Sequence, residues 1–537
     1  MSTAAAKLRT LGERYIRRTC SDFPQWGSSI GFSKFESKLG GSSARVRTSR
    51  NLFLARLLAE TEALPASDIQ GDDWLDRRCF LSLLRTELFN SRELERWRTN
   101  PQECCDGAVG AVFELVIRHS GNLKKARPAI EARLAAIPEF LKKGAAAVCQ
   151  PVPLWTKLAV HSCKGAKDFV ETVGETLAAF SPDSAKTRRI ARVAGKAFDA
   201  YAAAISKKKP GKANGFSIGR ECFDFLVRER TGLDWSLPEI EAEGHRLIAK
   251  LTDELAKEAK KYGKGSVSQI LASARDAWTP NEPLLALYTR SSVKWRNLVV
   301  KSGLYPIPPG ETLEVTPVPD FMREHFPTAA YSSPGAFEKR QRGIFWVNDL
   351  GAIKEDPAEA LRELRQHFGL ELTSAHEGYP GHHLQFAIQN RHPSRIRRLC
   401  SHAIFYEGWT MWCEKLAVEK GWVKGPYARL QQLHDALWRA YRIIIDCGLH
   451  SGKLTHEAAA QILVKGVGFT PARARADVNW YTAAPTVPMS YLLGRLELER
   501  VKTRMIKGRG WSLRKFHDWA LSHGAVPWTW IEQSDLS

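Results

Sequence analysis

The sequence lacks three features that would take the protein out of the ordinary globular class. Its 10 cysteines among 537 residues include no Cys-x-x-Cys pair, and a chain of this length needs no disulfides, which favours reduced thiols in a cytoplasm. No run of about 18 apolar residues is present, so we expect no membrane-spanning helix. No apolar stretch follows the first basic residues, and we therefore expect no secretory signal.

Acidic residues are too few to balance the basic ones. The 79 lysines and arginines exceed the 58 aspartates and glutamates and give a net charge of +21, which attracts acidic partners such as nucleic acid. However, no nucleic-acid-binding motif accompanies this charge, and the basic residues are spread along the chain outside residues 186–230 and a few short clusters. With 44% hydrophobic and 26% charged residues, a disordered or repetitive chain is also excluded.

Most of the chain is predicted to be helical. Apolar residues recur at steps of three and four in segments such as 186–206 and 237–258. Two other segments, 313–318 and 343–348, are rich in β-branched and aromatic residues, which predicts short strands. The fold class is therefore mainly α, with a small β element over residues 313–348.

The most informative segment reads His-Glu-Gly-Tyr-Pro-Gly-His-His at residues 376–383. A further carboxylate, Glu407, follows on a segment that is predicted to be helical. Two histidines and a carboxylate are donors that hold a catalytic zinc ion, and they leave a fourth position for water. Glu377, next to the first histidine, is placed to take the proton of that water. The competing interpretation is a helix end whose histidines only cap and pack.

The spacing of these histidines does not fit one straight helix. On a regular helix, His382 would point about 120° away from His376, and His383 would lie roughly 10 Å further along the axis. Ligands that are each about 2 Å from one ion cannot be so far apart. If a metal is bound, Pro380 and Gly381 must therefore kink the helix or loop out of it.

Several strings in the second half of the sequence resemble one family. HEGYPGHHLQ at 376–385, YEGWTMWCE at 406–414 and RIIIDCGLH at 442–450 are similar, in this order, to motifs of the bacterial proteins grouped as domain of unknown function 885. PTVPMSYLLGR at 485–495 resembles a further motif of that family, although Thr486 stands where the family carries glycine.

That family is similar to helical zinc peptidases of the thimet oligopeptidase and carboxypeptidase Taq groups. The similarity implies one large helical fold with a deep central channel and a small β-sheet beside the active site. It covers residues 215–535 well and the first 200 loosely. We therefore expect residues 1–215 to form a helical region that lines or caps the channel, with an exposed linker at its end. Residues 216–537 are expected to form the catalytic region.

The resemblance also implies roles for the residues of the motif. His376, His382 and Glu407 become the ligands of one Zn²⁺ ion per chain, and Glu377 becomes the general base. His383 stays open as the alternative to His382.

Further candidates follow from the C-terminal motifs and from the second predicted strand. Tyr491, Tyr481 and His450 are candidates for stabilising the oxyanion that develops during amide hydrolysis. Arg495 is a candidate for binding a substrate carboxylate through two hydrogen bonds. Asn348 is a candidate for helping an edge strand to pair with an extended peptide. The tyrosines are explained equally well as core residues, and Arg495 as part of a solvated helix face.

Together these observations predict a cytoplasmic, zinc-dependent metallopeptidase that hydrolyses short peptides, with Glu377 activating a zinc-bound water. Because the chain is basic, we expect the substrate to be acidic or to be bound through its carboxylate. The first alternative is a metal-dependent hydrolase of a non-peptide or modified amide. A basic nucleic-acid-binding protein with a structural histidine cluster is the weaker alternative, and we expect neither a nucleic-acid nor a membrane partner.

Overall fold

The computed structural model describes residues 3–280, 282–318, 323 and 328–535. Helix accounts for 72% of the residues and strand for 3%, which confirms the mainly α fold class. None of the helices in these ranges is long and apolar enough to cross a membrane.

The chain divides into two compact units, and neither is one continuous stretch. Unit 1 comprises Met1–Ile69, Phe80–Gly215 and Gly335–Lys339, and unit 2 comprises Gln70–Cys79, Phe216–Pro334 and Arg340–Ser537. Each unit thus includes a short segment from the part of the chain that supplies most of the other. The central channel and the lining or capping role of residues 1–215 stay predictions.

Unit 1 is helical throughout its described part. Its helices are α1 (Thr3–Asp22), α2 (Pro24–Ser29), α3 (Ala44–Glu62), α4 (Gly71–Arg92, which begins in unit 2), α5 (Arg96–Thr99), α6 (Gln102–Arg118), α7 (Leu123–Ala147), α8 (Pro153–Ala178) and α9 (Ser184–Ser206). The prediction of a helix over 186–206 is confirmed by α9. This helix begins slightly earlier than predicted because the Asp183 side chain accepts a hydrogen bond from the Lys186 backbone N–H at 2.9 Å.

Unit 2 contains the remaining helices and the sheet. Its helices are α10 (Arg220–Thr231), α11 (Leu237–Ala259), α12 (Val267–Ala277), α13 (Leu284–Ser302), α14 (Pro357–Leu364), α15 (Leu370–Glu377), α16 (His382–Gln389), α17 (Arg395–Leu399), α18 (Ala403–Glu419), α19 (Ala428–Ser451), α20 (His456–Val467), α21 (Pro471–Ala483), α22 (Val487–Thr503), α23 (Leu513–Ser522) and α24 (Trp528–Ser534). Short 3-10 turns at Ser33–Phe35, Ala66–Asp68, Lys260–Tyr262, Leu350–Ile353 and Arg365–His367 and a π turn at Arg504–Gly508 complete the helical elements of both units.

The core of unit 2 forms where α11, α19 and α22 meet. Ile240 and Leu247 of α11 belong to one buried cluster with Leu437 and Ile443 of α19 and Leu492 of α22. Burying such an aliphatic side chain stabilises the fold by roughly 1.5–3 kcal/mol relative to leaving it exposed. The regularly spaced apolar residues that predicted a helix over 237–258 therefore form the face of α11 that packs against this core.

A three-stranded sheet adds the β element. Strands β1 (Thr312–Pro317), β2 (Ala329–Ser332) and β3 (Arg342–Val347) lie in the order β1-β3-β2, with β1 parallel and β2 antiparallel to β3. The two predicted strands are confirmed to within one residue. The four-residue strand β2 was not predicted, because so short a segment carries no periodicity.

Asn348 does not follow an edge strand, and its role in holding an extended peptide stays a prediction. Asn348 follows β3, which lies in the middle of the sheet, so both edges of β3 are already paired. The Asn348 side chain donates to the Arg323 carbonyl at 2.8 Å, and its backbone N–H donates to the Thr328 carbonyl at 2.9 Å. Asn348 therefore ties the end of the sheet to the neighbouring loop.

Strand β3 contacts both helix α13 and the motif at 376–383. Phe345 and Val347 of β3 pack on Leu284 and Tyr288 of α13, which fixes the sheet on one helix. A Cβ atom at Gly343 of β3 would overlap the ring of His383, so this strand lies directly against the motif.

Helices α18 and α22 cross at a pair of glycines. A Cβ atom at Gly408 would overlap the backbone of Gly494, and a Cβ atom at Gly494 would overlap the carbonyl of Ile404. The obstacle in both cases is backbone, which cannot rotate away as a side chain can. The two helices therefore approach each other more closely than any other residue pair would allow.

We expect Gly408→Ala to lower the free energy of unfolding by about 3 kcal/mol, because overpacking against backbone leaves no low-energy rearrangement. Gly508→Ala is the matched control in the same unit, since a Cβ atom there meets nothing within 4 Å. Chemical denaturation of both variants checks the prediction. Equal stability of the two variants would show that the crossing tolerates a methyl group.

Candidate metal centre

The motif at 376–383 spans two helices, and the break between them was predicted. Helix α15 ends at Glu377 and α16 begins at His382, with a cis peptide bond between Tyr379 and Pro380. A Cβ atom at Gly381 would overlap the carbonyl oxygen of His376, so the chain folds back onto the end of α15. This reversal places the second helix beside the first instead of beyond it.

The reversal brings His376 and His382 together with Glu407 of α18. Oε2 of Glu407 lies 3.6 Å from Nε2 of each histidine, and one ligand atom from each residue lies within 4.8 Å of the other two. The two imidazole rings are 4.9 Å apart and inclined at 84°. No more than 9% of any of the three residues is exposed.

This spacing fits a metal ion better than it fits direct hydrogen bonds. Ligands that are each 2.0–2.2 Å from a tetrahedral ion lie roughly 3.3–3.6 Å from one another. Oε2 of Glu407 is buried and has no hydrogen-bond partner in the described part of the chain, although a buried carboxylate oxygen normally has one. Nitrogen and carboxylate donors in this number suit zinc and leave a fourth position open.

A second carboxylate of α18 orients the first histidine. Nδ1 of His376 donates to Oε1 of Glu414 at 2.6 Å, which leaves Nε2 as the ring nitrogen that faces Glu407. Burial lowers the pKa of His376, but Glu407 and Glu414 outweigh it and raise the pKa to about 10. Burial likewise raises the pKa of Glu407, and the two histidines more than compensate and lower it. The triad is therefore electrically neutral when His376 carries an extra proton and Glu407 is ionised. A bound cation can balance the charge of Glu407 in place of that proton.

His383 faces away from the triad, so the structure groups His382 with the other two residues. Nε2 of His383 donates to Oε2 of Glu311 at 2.7 Å, and Nδ1 accepts from the Tyr331 hydroxyl at 3.2 Å. The Tyr379 hydroxyl also donates to Glu311. Both ring nitrogens of His383 are thus engaged, and this fully buried pair anchors α16 to the residue before β1.

Glu377, the predicted general base, lies at the end of α15 next to His376. It is half-buried, and no described residue forms a hydrogen bond or an ion pair with it. Its charge is close enough to contribute, after burial, to the raised pKa of Tyr288 and Tyr331. A carboxylate in this position is available to accept a proton beside the triad.

The two predicted tyrosines have different surroundings. Burial, together with the nearby carboxylate of Glu407, raises the pKa of the Tyr491 hydroxyl well above the usual range. The Tyr481 hydroxyl instead accepts from Arg442 at 2.9 Å and donates to Asp477 at 3.0 Å. The structure therefore brings Tyr491 to the triad and gives Tyr481 the bonding of a core residue.

His450 interacts with Tyr481 and Asp446. Its Nε2 donates to the Tyr481 carbonyl at 3.2 Å and lies 3.5 Å from Asp446, so the two residues form a carboxylate–histidine pair. Asp446 accepts from the backbone N–H groups of Thr486 and Met489, both at 3.3 Å, and so caps the start of α22. The pair positions the helix that carries Tyr491, and a direct role in chemistry stays a prediction.

Arg495 is not on a solvated helix face, because only 7% of it is exposed. Its Nε lies 3.4 Å from Glu499, and Glu414 is close enough to act on its charge. Arg495 thus belongs to a buried charge network behind the triad. Its role in binding a substrate carboxylate is not tested by this position and stays a prediction.

Sequence reasoning missed two of the residues that shape the site. Glu311 lies more than sixty residues before the motif, and no local spacing links it to His383. Arg442 lies in the string at 442–450. The only signal that could have identified it from the sequence is its buried position on α19. Thr486 has a φ of 69°, in the left-handed region that favours glycine, which explains the glycine of similar proteins at this position.

A mainly helical chain with a buried His-His-Glu triad is a candidate metalloprotein. The chain belongs to the family described as "Bacterial protein of unknown function (DUF885)", whose profile matches residues 24–534. The match therefore includes most of the first 200 residues, which the motifs covered only loosely. No curated protein matches the sequence significantly.

Two solved structures have the same fold along the whole chain. One is a protein of unknown function from Shewanella oneidensis, provisionally assigned as a lipoprotein, with 19% identity, a TM-score of 0.77 and 100% coverage of both chains. The other, from Colwellia psychrerythraea, has the same provisional assignment, with 16% identity, a TM-score of 0.80 and 99% coverage of both chains. At these identities the likeness shows the fold alone.

We expect the purified protein to bind one Zn²⁺ ion per chain, and His382→Ala to abolish this binding. His383→Gln is the discriminating variant, because it removes the neighbouring imidazole but leaves all three triad residues in place. Equilibrium dialysis followed by elemental analysis measures both. Loss of zinc from His383→Gln with retention in His382→Ala would reverse the assignment of the ligand.

Proposed function

We propose that this protein is a zinc-dependent metallopeptidase that hydrolyses short peptides. The observation that carries the proposal is the buried Oε2 atom of Glu407, which has no hydrogen-bond partner among the described residues and lies 3.6 Å from two histidine nitrogens. A second observation supports hydrolysis over a purely structural metal. A structural zinc site is normally closed by four protein ligands, whereas this triad supplies three.

A zinc ion held by the triad would polarise a carbonyl group and make water acidic enough to attack at neutral pH. The residues of the chain then supply the remaining steps. Glu377 takes the proton of the attacking water and delivers it to the leaving amine. This role requires a carboxylate that is not already bonded to another side chain, and no described residue bonds to Glu377. The Tyr491 hydroxyl, which lies close enough to Glu407 to feel its charge, donates to the oxygen on which negative charge develops.

The expected substrate class follows from the net charge of the protein. The net charge of +21 favours peptides with exposed carboxylates, since a basic protein raises their local concentration. A hydrolase of a non-peptide or modified amide would use the same chemistry, so only the range of accepted substrates separates the two. The cytoplasmic location also stays a prediction, and both structural relatives are provisionally assigned as lipoproteins.

We expect Glu377→Gln to retain one zinc ion per chain and to lose peptide hydrolysis by a factor of about 100 or more, because it removes the proton acceptor and keeps the shape. Mass analysis of a library of peptides from two to ten residues measures the cleavage. Glu371→Gln is the matched control on the same helix, since Glu371 pairs with Lys294 at 2.9 Å and lies outside the triad.

Two results would contradict the proposal. Undiminished cleavage by Glu377→Gln would remove this residue from the mechanism. A wild-type protein that holds zinc but cleaves no member of the peptide library, while hydrolysing other amides, would move the function to the alternative substrate class.

A further inference from the structure

Arg442 of α19 is a buried cation for which the described residues supply no ion-pair partner. Only 6% of it is exposed, and no described residue forms an ion pair with it. Other buried arginines do have such partners. Arg397 lies 2.9 Å from Asp72 and 2.7 Å from Asp76. A buried charge without a counter-charge is costly, so an arginine in this state is a candidate for binding an anion from outside the chain.

Four aromatic rings surround the guanidinium of Arg442. Its Cζ lies 4.1 Å from the ring centre of Trp438, 4.5 Å from that of Tyr491, and 5.4 Å from those of Trp480 and Tyr481. Such cation–π contacts stabilise the charge, but they cover only the faces of the planar group. The N–H donors point outward in the plane, where a carboxylate binds.

One part of that donor edge has no partner. Nε donates to the Tyr481 hydroxyl at 2.9 Å, whereas Nη1 is buried and has no hydrogen-bond partner among the described residues. Asp477, the nearest acid in electrostatic terms, is engaged by the Tyr481 hydroxyl at 3.0 Å. Trp480 is 39% exposed, so the aromatic enclosure reaches solvent on one side.

Tyr491 connects this arginine to the triad. Its ring centre lies 4.5 Å from Cζ of Arg442, and its hydroxyl is close enough to Glu407 for that carboxylate to raise its pKa. Roughly the length of one tyrosine side chain therefore separates Arg442 from a metal ligand. An extended peptide covers such a distance with about two or three residues, at roughly 3.3–3.6 Å per residue.

We propose that Arg442 binds the C-terminal carboxylate of the substrate and thereby selects a peptide bond near the C-terminus for cleavage. This inference rests on the proposed peptidase function and adds to it the part of the substrate that is recognised. It assigns to Arg442 the task that the sequence suggested for Arg495, whose guanidinium faces Glu499.

Binding can be tested without turnover in the zinc-loaded Glu377→Gln protein. Isothermal titration calorimetry compares three probes, which are acetyl-trialanine with a free carboxylate, its C-terminal amide, and the amide of acetyl-Ala-Glu-Ala. We expect the free acid to bind roughly tenfold to a hundredfold more tightly than either amide, because a hydrogen-bonded charge pair is lost in both. Tight binding of the glutamate-containing amide would show that a side-chain carboxylate is recognised instead and would overturn the proposal.

Variants of α19 then locate the effect. Arg442→Gln in the same background should bind the acid and the amide equally. Arg439→Gln is the matched control, because Arg439 also stacks on Trp438, at 4.1 Å, but has Asp435 at 3.7 Å as its partner. That variant should keep the preference for the acid. Far-ultraviolet circular dichroism and zinc content check that each variant is folded.

The outcomes separate this proposal from the one on which it rests. Equal binding of acid and amide by the Glu377→Gln protein overturns the role of Arg442, even if Arg442→Gln fails to fold, and leaves hydrolysis by the wild type untouched. Conversely, a preference for the acid that depends on Arg442, in a protein that cleaves no peptide, keeps the carboxylate site and removes the peptidase function.

Discussion

The reversal of the chain between α15 and α16 is the constraint on which the metal centre depends. Two histidines six residues apart can face one point only if the second helix returns beside the first, and only a residue without a side chain fits at Gly381. Trp409 secures the reversal by donating its indole N–H to the Pro380 carbonyl at 2.9 Å. Since Trp409 belongs to α18, the helix that supplies Glu407 also holds the loop that aligns both histidines.

Three buried carboxylates surround this reversal, and each is compensated by an imidazole. Glu407 faces two histidines, Glu414 accepts from His376, and Glu311 accepts from His383. Removing a carboxylate from water is expensive unless an opposite charge or a hydrogen-bond donor accompanies it. The arrangement therefore explains why so polar a motif lies inside the molecule, and why its histidines divide between a triad and an anchor.

Sequence patterns predicted the parts of the fold and of the site that depend on local spacing. The helices at 186–206 and 237–258, the two predicted strands and the break at Pro380 are all properties of neighbouring residues. The partners of His383 and the central position of β3 depend on contacts between distant segments, and no single sequence contains that information in its spacing. For the same reason the sequence pointed to Arg495 and not to Arg442, whose burial and lack of an ion-pair partner among the described residues appear only in three dimensions.

The division of the chain into interleaved units also governs the order in which the molecule can be completed on the ribosome. Asp72 pairs with Arg397 across 325 residues within unit 2, and translation at roughly 5–20 residues per second separates their synthesis by roughly 16–65 s. Unit 1 likewise cannot be completed until Glu338 has been synthesised, because Glu338 lies 2.9 Å from Arg118. Neither unit can therefore reach its final packing while the first half of the chain is being made, and both mature late in translation.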